Sequence, residues 1–343
     1  MQQFEWLNAQ SEAEAAGSGA TTVAAAMIAP TGGRASQDAV VVKAGGIDLL
    51  DLMKEGLLQP RRIVNLRGIP GFDRVVEAND GSVRIGAMVT LANLARHPTI
   101  LQRYTALADV ARNSASPQIR NVATLGGNLL QRPRCWYFRS AHHHCARKGG
   151  EACFAFGGEN QYHAIFDHDG CAIVHPSTSA TALVALGARV ALVSADGSRR
   201  VLPLEEFFLL PDTDITHEND LKPGEILSAV VLPKLEPSAR SVHLKQGEKD
   251  SFDWPIADAA VLLDRDPAGL CRKVSIVLGA AAPVPHRAKT AEAALIGKLA
   301  NEQNARDAAR AAIAGAAPLS KNAYKLPIFE ALVRRAILAA GQA

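Results

Sequence analysis

Residues 40–54 read VVVKAGGIDLLDLMK, and residues 119–130 read IRNVATLGGNLL. The first stretch predicts a strand, a glycine turn and a helix. Leu49, Leu50, Leu52 and Met53 recur at the spacing of one helical face, and Asp48 can cap the helix start. The second stretch predicts another strand running into a second glycine turn, Thr124-Leu125-Gly126-Gly127-Asn128. Glycines at such turns let backbone N–H groups approach an anion with no Cβ in the way, and a helix N-terminus adds a favourable dipole. Two such turns can wrap one pyrophosphate. Neither matches G-x-G-x-x-G, so a Rossmann fingerprint is absent.

RRIVNL and SVRIGAM read as strands, and TLANLARHPTILQRYTALADVARN as one or two helices with a proline break. After a long irregular stretch, AIVHPSTSATALVALGARVALVSADGSRRVLPLEEFF reads as strand, helix, strand, a turn at Asp196-Gly197 and strand. The turn-rich, acidic PDTDITHENDLKPGE places a boundary, with domains expected at 1–215 and 222–343. Beyond it, ILSAVVLP, SVHLKQ, ADAAVLLDRD and CRKVSIVLGA are strand candidates. Helices are expected near 291–316 and 328–340. Strands followed by helices make the whole an α+β protein.

The 343 residues are 48% apolar and 21% charged, with net charge +3. That is an ordinary globular composition, and the charge is too small to argue for nucleic acid. The N-terminal MQQFEWLNAQ lacks the pattern of a secretory signal. No apolar run reaches the ~18 residues of a membrane span, so no membrane insertion is expected. The compartment is expected to be cytoplasmic, or periplasmic by export with a partner.

Residues 131–173 carry Cys135, Cys145, Cys153 and Cys171, spaced C-x9-C-x7-C-x17-C. No C-x2-C pair is present, which argues against a zinc ribbon. Four convergent thiolates can hold an iron–sulfur cluster at irregular spacing. Arg132, Arg134, Arg139, Arg147 and Lys148 fall in 131–150 with no Asp or Glu, which suits an anionic cluster. The same charges also suit a solvated basic loop docking on an acidic partner. His142, His143 and His144 are consecutive and read as surface or charge-balancing groups. Cys271, in a strand-like run, reads as a small buried residue.

Taken in order, KAGGIDLLDLMK, IGAMVTLANL and IRNVATLGGNL resemble the flavin-binding pattern of the medium subunits of the xanthine dehydrogenase and carbon monoxide dehydrogenase family. GAAAPVPHRAKTAEAAL (279–295) and NAYKLPIFEALVRRAIL (322–338) resemble the pattern of its C-terminal domain. The resemblance implies a PCMH-type FAD-binding domain of two α/β subdomains, followed by a smaller α+β domain like that of the carbon monoxide dehydrogenase flavoprotein. It implies FAD contacts from Val42, Lys43, Ala44, Gly45, Gly46, Ile47, Asp48 and Leu49, and from Ala123, Thr124, Gly126, Gly127 and Asn128. Ser116, Ile119, Arg120 and Asn121 would lie close to the flavin, and Ser177 near the cofactor. Lys245 and the segment 250–256 would approach the ring, where Trp254 either stacks or belongs to the core. The family often has a carboxylate where Thr178 stands here.

LLQRPRCWYFR (129–139) and the cysteines after it look like the flavin subunits of three-subunit periplasmic aldehyde oxidoreductases. A related insertion occurs in the flavin subunit of 4-hydroxybenzoyl-CoA reductase. That likeness implies a [4Fe-4S] cluster on Cys135, Cys145, Cys153 and Cys171. It also implies a heterotrimer with a large subunit carrying the molybdenum cofactor and a small one carrying two [2Fe-2S] clusters. The chain would then pass electrons to an external acceptor and hold no catalytic residue of its own. A stand-alone flavin oxidase and a non-catalytic metal-binding assembly module are the alternatives.

Overall fold

The computed structural model describes residues 2–19, 21–28 and 37–342. The first unit runs β1 (Glu5–Asn8), α1 (Glu12–Ser18), α2 (Val23–Met27), β2 (Val40–Lys43), α3 (Ile47–Lys54) and β3 (Arg62–Asn65). Its three strands are parallel, in the order β1-β3-β2. Parallel strands need a crossover, and α3 supplies it between β2 and β3. This helix buries Leu49, Leu52 and Met53 against Val41 and Ile63.

The second unit begins with β4 (Val75–Glu77) and β5 (Val83–Gly86). Short helices follow: α4 (Leu91–Leu94), α5 (Pro98–Arg103), α6 (Thr105–Asn113), α7 (Pro117–Arg120) and α8 (Leu125–Leu129). After the cysteine loop come α9 (Thr178–Ala185), β6 (Arg189–Ser194), β7 (Arg199–Pro203), α10 (Leu204–Phe207) and β8 (Glu225–Leu232). The sheet order is β4-β5-β8-β6-β7, every neighbour antiparallel. An expected break at 215–222 falls before β8, yet β8 lies between β5 and β6. Sheet continuity therefore carries this unit to residue 232.

The last unit holds β9 (Arg240–Gln246), β10 (Ala257–Arg265), β11 (Cys271–Gly279) and β12 (His286–Arg287). It ends in α11 (Lys289–Leu295), α12 (Glu302–Ile313) and α13 (Lys325–Gln342). Three helices stand where two were expected. Strand β10 is buried on both faces, and the period of two divides its side chains. Ala257, Ala259, Val261 and Leu263 join the helices' core, while Ala260 and Leu262 join the core of the second unit. Cys271 is buried in the helical core, as its strand setting predicts.

Residues 131–173 hold a single 3-10 turn, Ala146–Lys148. They are nonetheless packed. Phe138 enters the core of the first unit with Leu49 and Met53. Ile165 and Phe166 enter the core of the last unit, and both donate to Ala281 O. The loop is a strap between the two ends of the molecule. The strand expected at 172–174 does not form: these residues carry no regular secondary structure. The strand expected before the second glycine turn is absent too: α7 precedes it, and one bridge, Thr90 to Thr124, holds it.

Candidate functional site

The two glycine turns meet backbone to backbone. A Cβ on Gly45 would lie 2.3 Å from Val122 O, so only glycine allows this approach. A Cβ on Gly126 would lie 2.9 Å from Ala87 O. Gly46, the N-cap of α3, has φ +89° and no side chain to cap the helix. Asp48 does not cap it either. Its carboxylate accepts from Arg132 N at 2.8 Å, Arg134 Nη1 at 2.8 Å and Arg139 Nη2 at 2.5 Å. The capping expected of Asp48 is thus replaced by an anchor for the cysteine loop. The first-turn amides of α3 are left for an anion.

The turns open on a cleft of about 620 Å³, within the range of about 300–1,000 Å³ usual for small-molecule sites. Val42, Lys43, Ala44, Gly45, Gly46, Ile47, Asp48 and Leu49 line it. So do Ser116, Ile119, Ala123, Thr124, Gly126, Gly127, Asn128, Lys245 and Trp254. Three predicted residues do not line it. Ser177 caps α9 and donates to Asn128 Oδ1 at 2.7 Å. Arg120 lies over the Phe252 ring at 5.6 Å, and Asn121 ends α7. Thr178 is in the wall and shares a 3.1 Å hydrogen bond with Ser114.

Sequence reasoning missed a second wall. Thr22 and Val23 of α2, and His217, Glu218, Asn219 and Lys222 of the supposed linker, complete the cleft. A run of turn residues reads as a spacer, and nothing local marks it as lining. At the mouth, Lys245 Nζ donates to Asn113 O at 3.0 Å and Ser251 O at 3.3 Å, gathering the 250–256 segment. Trp254 is 51% exposed, and the Arg134 guanidinium sits 4.4 Å from its ring centre. It is not a core residue.

Cys135, Cys145 and Cys171 lie within electrostatic reach of one another, Cys153 is in contact with Cys171, and all four thiols are free. Among the described residues, no three His, Cys, Asp or Glu side chains form a ready-made metal-holding group. The Cys153 thiol is hydrogen-bonded to the Cys171 sulfur; this bond, with Arg147 beside it, holds Cys171 below the usual thiol range. Burial pushes Cys135 up to about 11. His163 Nε2 stands 3.2 Å from Cys135 Sγ, a neighbour the spacing did not reveal. Burial also lowers His163 to about 4, so it is neutral at pH 7.

The basic groups are not a solvated docking face. Arg134 pairs with Asp48 and Asp51, and Arg139 joins them. Arg132 and Arg147 share the buried Glu218. Lys148 Nζ donates to Ser140 O at 2.6 Å. Of the three histidines, His142 is exposed, while His143 stands edge-on to Tyr137 and Phe154 at 5.2 Å. Arg147 stands beside Cys171, and Lys148 beside Cys145 and Cys135, charges that suit an anionic group there.

A family described as the FAD binding domain in molybdopterin dehydrogenase matches residues 2–235. The CO dehydrogenase flavoprotein C-terminal domain matches residues 242–340. The chain belongs to the FAD-binding subunits of the molybdenum hydroxylase family. The aldehyde oxidoreductase FAD-binding subunit PaoB of Escherichia coli is 32% identical over 82% of this chain and 86% of its own. The carbon monoxide dehydrogenase medium chain of Hydrogenophaga pseudoflava is 28% identical over 90% of this chain and 91% of its own. A solved structure of carbon monoxide dehydrogenase from the same organism superposes with a TM-score of 0.73 at 26% identity. It covers 99% of this chain and 97% of its own. No helix among the described residues is long and apolar enough to cross a membrane.

Proposed function

We propose that this chain is the flavin subunit of a molybdenum-cofactor aldehyde oxidoreductase, a heterotrimer in which a small [2Fe-2S] subunit delivers electrons to FAD held here. The observation that carries the reading is the cleft at the meeting of the two glycine turns. There the uncapped N-terminus of α3 faces a wall in which Gly45 admits no side chain. The pyrophosphate belongs at these turns, with the 42–49 and 123–128 residues around it. The ring belongs toward Lys245 and the 250–256 segment. Ser116 and Ile119 line the same cleft, while Ser177 acts on it through Asn128, Arg120 through Phe252, and Asn121 from the end of α7.

Bound flavin accepts electrons singly and releases one or two, which suits a relay between iron–sulfur centres and an external acceptor. The chain's own part is to bind, orient and shield. Lys245 holds the mouth segment, and Arg134 holds Trp254 over the opening. In this reading the aldehyde chemistry belongs to the molybdenum subunit, and no residue of this chain is given a catalytic role. Two further assignments follow the same reading. The FAD-binding domain runs to residue 232, where β8 ends, and the C-terminal domain follows it.

Cys135, Cys145, Cys153 and Cys171 hold a [4Fe-4S] cluster in this reading. Supporting it are the electrostatic linkage of Cys135, Cys145 and Cys171, the Cys153–Cys171 contact, and the buried Arg147 and Lys148 beside them. Iron and acid-labile sulfide, measured after anaerobic purification, test the assignment. The expected result is about four of each per chain, in line with the cluster stoichiometry. Zinc without iron would refute it. Cys145→Ser should lose the iron and keep the FAD.

A further inference from the structure

Arg132 and Arg147 are far apart in sequence from Glu218, yet both close on it. Arg132 Nη1 lies 2.7 Å from Oε2, and Arg147 Nη1 lies 2.7 Å from Oε1. The side chains are 2%, 1% and 4% exposed for Arg132, Arg147 and Glu218. Two guanidiniums against one carboxylate give the triad itself one net positive charge out of solvent, with Asp48 the next carboxylate to act on Arg132; buried charge without its own partner is costly. Moreover, Nε and Nη2 of Arg132 and Nη2 of Arg147 are buried without a partner. Unpaired buried donors are rare enough to need a reason.

The two ends of this triad serve different places. Arg132 and Glu218 line the cleft, and Arg147 does not. Arg147 Nε donates to Cys171 Sγ at 3.4 Å. A continuous chain of contacts therefore runs from the cleft through Arg132, Glu218 and Arg147 to the thiols. We propose that Glu218 and the two arginines form a positioning bridge, which shares one surplus positive charge between the dinucleotide site and the cysteine cluster. This rests on the reading of those two places given above.

The bridge has a direction of effect that follows from its charge count. If Arg147 is lost, Arg132 and Glu218 become a neutral pair. Glu218 can then turn both oxygens to one guanidinium, the bidentate form such pairs favour. The cleft wall loses its surplus charge and the spare donors of Arg132. If Arg132 is lost, Glu218 neutralises Arg147, and the thiols lose theirs. Each change is felt at the far site.

The test uses the full chain and reads binding rather than turnover. FAD affinity is measured by fluorescence quenching on protein stripped of metal with a chelator, so that the metal itself plays no part. Arg147→Gln should weaken FAD binding by about tenfold, within the usual span of coupling between sites. Arg147→Lys, which keeps the charge, should restore most of that loss. In the other direction, chain reconstituted with iron and sulfide should lose iron to a chelator about tenfold faster when it carries Arg132→Gln. A folded Arg147→Gln protein with wild-type FAD affinity would overturn the bridge. If that variant does not fold, Arg132→Gln decides alone, and an unchanged rate of iron release overturns it. A wild-type chain that takes up FAD but no iron would sink the cluster reading, while the metal-free FAD comparison would still decide the bridge.

Discussion

Gly45 does the most with the least. Its missing Cβ lets the first turn touch Val122 O, and this contact shapes the cleft floor. Gly45→Ala must push apart two backbones rather than bend a side chain. It should cost about 1–3 kcal/mol of stability, as overpacking does, and it should purify with little FAD. Flavin absorbance per chain and a thermal melt check both. Much of this was legible at the level of residues, because a glycine between strand and helix has a small set of physical reasons. Asp48 shows the opposite. The sequence at a helix start reads as a cap, but the arginines that claim its carboxylate lie some eighty residues on, where local reading does not reach. Ser177 caps α9 and reaches the cleft through Asn128, a link between distant segments that local reading also does not show.

Among the elements, the cysteine loop and α13 are joined by Lys325. Its Nζ donates to His163 O at 3.0 Å and to Ala280 O, tying the loop to the last domain. Burial pushes Lys325 down to about 7, partly opposed by the charge of Asp258. An unfolded lysine titrates near 10.4. Below pH 7 both states carry the proton, and the cost of burying the charge is complete. As pH rises from about 7 toward 10 the folded state sheds the proton first, and stability rises by at most about 1.4 kcal/mol per pH unit. Urea unfolding across pH 6.5–9.5 should show that rise in the wild type and a flatter curve in Lys325→Met. Parallel curves would contradict it. Helix and strand positions were legible wherever the apolar period was sustained, as in α3 and β10. The loop's packing was not, since Phe138 and Ile165 lie in a stretch with no period at all.

For the whole molecule, the three sheets and their order follow from segments that pair across long separations. This is why the boundary at 215–222 looked natural in the sequence: a turn-rich acidic run resembles a linker. Strand β8 returns to the second unit after it, and the run itself becomes cleft wall. The surplus of charge seen in residues 131–150 also changed meaning. Those arginines close internal pairs and leave the thiols beside buried cations rather than offering a basic face to a partner. Membership of the FAD-binding subunits, by contrast, was readable from motifs that run in order along the chain. The most direct measurement of the central claim is anaerobic absorbance spectroscopy of this chain, alone and in its native complex, on addition of an aldehyde. About one FAD per chain is expected, bound in the cleft at the glycine turns. That flavin should bleach only when the molybdenum and iron–sulfur subunits are present. A chain that oxidises the aldehyde unaided, or that carries no flavin, would contradict it.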